Sequence, residues 1–268
     1  MRMKIRSGLT LVELMVGLTV GGIVSGASVG ALLHMQRTSA QLARRGEAER
    51  LGHEVLSVLS TIGYQLRRPY VLGDTALQAE LRLVAGVTCA VGPSSITLAP
   101  MSPGSLDALT FASDMPAQGD LLEVYREDSS EGPRWDTSRI VEVSRLAAAE
   151  GCGTDTPFAS PELRDRQVVR LTLQTSWLLT PGSPAEVFRE IRLLTYPTAG
   201  QGWMLGWRAC PQGICGPVQP IVGPLRSRAE GGLTLRQDSL MGWVHVGVRV
   251  YGVDAPFEGT IGNAAARP

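Results

Sequence analysis

The chain has 268 residues, 44% hydrophobic and 19% charged, with a formal net charge of zero. That balance leaves no basic footprint for nucleic acid. The 31 glycines and 17 prolines suit many short strands and turns better than a helical bundle.

Residues 1–8, MRMKIRSG, carry Arg2, Lys4 and Arg6 and no acid. From Leu9 to Leu33 the only charged residue is Glu13. As a helix this run is about 37 Å long, enough to cross a hydrocarbon core of ~30 Å. Basic residues before it place the N-terminus in the cytoplasm and the rest of the chain outside the inner membrane. A cleaved secretory signal is one alternative, with SGA at Ser25–Ala27 or VGA at Val29–Ala31 as the cleavage site. Signal cores are shorter, however, and seldom hold a carboxylate. A plain anchor helix is the other, and it leaves Glu13 as an unexplained cost of roughly 2.5–3.5 kcal/mol near a membrane centre.

The local order is basic leader, Gly8, Leu9, Thr10, Leu11, Val12, Glu13, then a long apolar helix. It resembles the class III signal of type IV prepilins and type II secretion pseudopilins. One departure is Leu9, where that family usually has Phe. The resemblance implies that a prepilin peptidase cuts between Gly8 and Leu9 and methylates the new Leu9 amine. It implies that the helix stays as an anchor and later enters a filament core. It also implies that Glu13 meets the N-terminal amine of a neighbouring subunit and sets the register between subunits. A buried carboxylate needs such a cation. Gly17 and Gly21 are four apart, as are Gly22, Gly26 and Gly30, a spacing that lets helices approach in lipid or that reflects ordinary glycine enrichment. The Gly21–Gly22 pair predicts a local unwinding of the helix.

From His34 to Arg68 the pattern turns amphipathic. Charges dominate between Gln36 and Arg50, then Leu51, Val55, Val58, Leu59, Ile62 and Leu66 mark one helical face. Pro69 is expected to end this stalk helix, with a break at Gly46 or Gly52 as the alternative. The expected organisation is therefore a leader at 1–8, a membrane and filament-core helix at 9–33, a stalk helix at 34–68 and a periplasmic head at 69–268. Strands are predicted at 95–99, 108–112, 121–125, 139–144, 168–176, 186–194, 202–207 and 242–252, most of them alternating and separated by turn residues. The fold class is α+β, with the long helix covering a mainly antiparallel sheet.

SLDALTF (105–111), LLEVYRED (121–128) and VHVGVRVYGV (244–253) look like minor pilins of the PilW type, with the J-type pseudopilins as rival. K-type pseudopilins usually lack the glutamate found here at position 13. This likeness implies a single-pass inner-membrane protein that later enters a pilus. Its implied partners are the prepilin peptidase, other minor pilins, the major pilin, the inner-membrane assembly platform and the lipid bilayer. Removing the leader takes away three basic residues, leaving 22 against 25 acidic ones and a net of −3. No direct nucleic-acid binding is expected.

A periplasmic head sits where disulfides persist. Cys210 and Cys215 flank the turn-prone PQGI and are expected to pair, leaving Cys89 with Cys152, although four cysteines allow three connectivities. No metal or cofactor is expected, because only one cysteine pair is close and no histidine is near it. His34 and His53 fall on the stalk and His245 on a strand, and no nucleophile elbow or phosphate-cradling loop is present. The acidic REDSSEG (126–132) matches no calcium template and reads as a solvated turn. Trp203 and Trp207 fit either core or contact roles. Together these features predict a structural protein rather than an enzyme.

Overall fold

The structure, a computed structural model, describes residues 11–99, 115–128, 132–153, 166–177, 179–200, 202–238 and 243–262. The expected strand at 108–112 lies outside them. The chain divides into two compact units, residues 1–50 and 51–268.

Helix α1 (Leu11–Gly63) crosses that division. Its 53 residues span about 80 Å. It is helical through Gly21–Gly22, Gly46 and Gly52, so neither the predicted unwinding nor the alternative break is present. It ends at Gly63, five residues before the expected Arg68. Leu66 continues the spacing of Leu59 and Ile62, which is why periodicity overran the end. Leu66 is instead the first residue of strand β1 (Leu66–Leu72), and Pro69 lies inside that strand.

From Leu51 onward the apolar face of α1 belongs to the second unit. Val55, Leu59 and Ile62 are buried there. The same stretch of helix meets a small antiparallel sheet of β10 (Leu233–Gln237), β11 (Val244–Val248) and β12 (Phe257–Ile261). Gly52 lets the Phe257 ring lie against the helix, and Leu56 and Gly63 meet Gly259 and Ile261. His53 packs edge-on against Phe257 at 5.2 Å between ring centroids. Gln237 ties this sheet to β1. Its Nε2 donates to the Pro69 carbonyl (3.0 Å), and its Oε1 accepts from the Val71 N–H (3.2 Å).

The larger sheet adds β2 (Ala76–Val91), β3 (Ser95–Leu98), β4 (Leu121–Asp128), β5 (Gly132–Ala147), β6 (Gln167–Leu173), β7 (Pro184–Thr198), β8 (Gly202–Ala209) and β9 (Gln219–Leu225). All its pairings are antiparallel, in the order β1-β2-β3-β6-β5-β4-β7-β8-β9. A further ladder joins β2 to β7 over Ala76–Val87 and Pro184–Leu194. Six strands, β2-β3-β6-β5-β4-β7, therefore close on themselves as in a small barrel. Within this ring Val84, Val187 and Leu122 sit directly opposite one another, as do Ile96 and Leu171. All five are buried, so they form a core on the shared face.

Two disulfides close loops in the head. Cys89 on β2 joins Cys152, just after the short helix α2 (Ala148–Gly151), inside a buried cluster with Ala148 and Val168. Cys210 joins Cys215 across a tight turn after β8. Of the tryptophans in question, Trp207 is buried and Trp203 half-buried.

Candidate assembly segment

The first forty described residues of α1 are unlike a soluble helix. Leu11, Val12, Leu14, Met15, Val16, Leu18, Val20, Ile23 and Val24 are all exposed. None of the most apolar eighteen-residue window is covered, and the helix is long and apolar enough to cross a membrane. Two of its hydroxyls bond back to the helix itself. Thr19 donates to the carbonyls of Met15 and Val16, and Ser28 to that of Val24. Such back-bonding removes polar groups that lipid could not satisfy.

Glu13 lies on α1 near the start of the described residues. Gly17, Gly21, Gly22, Gly26 and Gly30 have open space where a Cβ would stand. Nothing among the described residues demands glycine at these positions. Gly8 and Leu9 lie outside the described residues.

The head carries most of the buried charge. On β1, Arg67 donates through Nη2 to Glu123 Oε1 (2.6 Å) and Glu80 Oε2 (2.7 Å), and its guanidinium lies 3.8 Å from the centre of the Phe188 ring. Arg68 Nη1 donates to Glu80 Oε1 (3.1 Å), and Thr137 donates to Glu123 Oε1 (3.1 Å). Burial on its own would raise the Glu123 carboxyl. The Arg67 hydrogen bonds and charge, with the Thr137 hydroxyl, outweigh it and hold the group below its ordinary value. A carboxylate so held is fully engaged at neutral pH and has no proton to give, so it acts as a structural anion. On the opposite face, Arg189 Nε and Nη2 clamp Asp120 Oδ1 and Oδ2, both at 2.9 Å.

No group of three or more His, Cys, Asp or Glu side chains able to hold a metal occurs among the described residues. The three histidines are apart. His34 contacts the Thr38 hydroxyl on α1, His53 packs on Phe257, and His245 sits on the exposed side of β11.

Residues 3–29 match the family model of the prokaryotic N-terminal methylation motif. The chain carries a prokaryotic N-terminal methylation motif. The motif spans Gly8, Leu9 and Glu13 and runs into the exposed part of α1. It supports a type IV pilin-like family, and with the apolar helix it supports a membrane-anchored protein whose leader is a prepilin peptidase substrate. No curated protein matches the chain, and no solved structure does.

Proposed function

We propose that the protein is a minor pilin of the PilW type, incorporated in or priming a type IV pilus. One observation carries this reading: the methylation motif leads directly into a helix whose apolar side chains are uncovered. The peptidase cuts between Gly8 and Leu9 and methylates Leu9. Until assembly the helix spans the inner membrane, with its N-terminus cytoplasmic and the head periplasmic. On assembly, Glu13 pairs with the Leu9 amine of a neighbouring subunit. The glycine row of α1 is the face along which other pilin helices pack. The other minor pilins, the major pilin and the assembly platform are the partners.

Intact-mass analysis of membrane-extracted protein tests the maturation step. The expected species begins at N-methylated Leu9. A chain beginning at Met1 or Ser28 overturns the reading. A deletion strain tests the destination. Loss of surface pili with type II secretion intact is expected. The reverse result makes the protein a J-like pseudopilin.

A further inference from the structure

Four strands of the large sheet place Tyr70, Gln78, Arg192 and Arg208 in one cross-strand row. Tyr70 is opposite Gln78, Gln78 opposite Arg192, and Arg192 opposite Arg208. Residues paired directly across a sheet share a face, so the Arg192 and Arg208 side chains leave the sheet as direct neighbours. Like charges in that arrangement are destabilising.

The other arginines on this face have carboxylates. Arg67 and Arg68 share Glu80 and Glu123, Arg82 faces Glu186 at 3.8 Å, and Arg139 meets Glu190 at 3.3 Å. Glu190 also accepts from the Gln212 N–H. Among the described residues, Arg192 has only the Gln78 side-chain oxygen (3.3 Å), and Arg208 has no carboxylate within 4.0 Å. The Nε of each is buried with no hydrogen-bond partner. Both residues are half-buried, and Tyr70 at the end of the row is 60% exposed.

We infer that this row is a docking site for another protein chain that presents two neighbouring carboxylates. Paired arginines offer forked donors that match carboxylate geometry. The row crosses three strand spacings, about 14 Å of flat pleated surface, which suits a peptide segment better than a small ligand in a concave pocket. Arginine and tyrosine are the side chains that dominate the centres of protein interfaces. The adjoining row explains why the partner is not a long polyanion. Glu80 and Glu190 are directly opposite one another, the next pair on the same face after Gln78 and Arg192. A phosphodiester chain or an anionic lipid surface laid over the arginines also meets those carboxylates, whereas a protein segment can end its acidic stretch there. This inference does not depend on the pilus reading.

The test uses the full chain in its native host with a benzophenone amino acid at Tyr70. Ultraviolet light should give an adduct with a different protein, mapped by mass spectrometry to a segment with two carboxylates within a few residues. R192Q/R208Q should lower its yield at least tenfold. Purified R192Q should melt at the wild-type temperature or above it, because one of two facing charges is gone. A purely structural role for the arginines predicts a lower melting temperature. An adduct with lipid, with nucleic acid or with a second copy of this chain overturns the inference. So does the absence of any protein adduct, or a yield unchanged in R192Q/R208Q. Loss of leader processing, by contrast, bears only on the pilus reading.

Discussion

Arg67 on β1 and Glu123 on β4 meet across the head, fifty-six residues apart in sequence, with Nη2 and Oε1 2.6 Å from each other. Both side chains are more than nine-tenths covered. Taking either ion out of water is expensive, and their mutual contact offsets that cost only while both are present.

Removing one partner should therefore be severe. Glu123→Gln is expected to destabilise the head by about 3–5 kcal/mol, the usual cost of stranding one member of a buried pair. Because the folded carboxyl titrates below its unfolded value, its contribution is complete above the unfolded value of about 4.3. It is lost as pH falls through the lower, folded one. Denaturant melts of the wild type should weaken on acidification below that point. The variant should show a flatter response over the same range, and identical acid sensitivity in the two proteins contradicts the assignment.

The two disulfides should differ in weight. Loop-closure entropy rises with the number of residues enclosed. Cys89–Cys152 encloses a separation of 63 and Cys210–Cys215 one of 5. The chain-entropy model gives about 4 kcal/mol for the first and about 2 kcal/mol for the second. Thermal melts of the two paired Cys→Ala variants should rank in that order.

Gln237 joins two sheets through one side-chain amide. Gln237→Ala should cost about 1–2 kcal/mol for the two lost hydrogen bonds. It should also speed hydrogen exchange at the Val71 amide more than at amides within β11.

Maturation and assembly should separate by mutation. Gly8→Val should leave the leader attached in intact-mass spectra. Glu13→Val should be cleaved normally yet be depleted at least tenfold from sheared filaments, a loss that needs only about 1.4 kcal/mol. Normal incorporation of that variant sinks the register role of Glu13.

The parts of the fold legible in the sequence are those with local causes. An uninterrupted apolar run with one carboxylate announces the exposed part of α1, and alternation announces β4, β6 and β7. Cys210 and Cys215 are brought together by the turn between them. What was hidden depends on distant partners. Strand β2, ALQAELRLVAGVTCAV, opens with ALQAELRL, whose Ala, Leu, Gln, Glu and Arg are all better helix formers than strand formers. It is extended because β1 and β7 pair with it on opposite sides. Strand β9 carries Pro220 and Pro224, which mask it as a loop and suit its place at the sheet edge. At Arg68 a positive φ of 50° marks an irregular step in the β1 register that no propensity foretells. The Arg192–Arg208 juxtaposition is equally invisible, since it exists only once β7 and β8 are in register.

The Cys89–Cys152 bond also governs how the head yields to a pulling force. A load applied through α1 enters the fold at β1 and passes next to β2, the strand that holds Cys89. If the hydrogen-bonded ladders then give way, the stretch between the two cysteines, a sequence separation of 63, still cannot extend. Roughly 200 Å of contour length stays locked behind one covalent bond. Single-molecule stretching should therefore show an unfolding step longer by about that amount in reductant than in air, and a head built this way resists being drawn out into a thread.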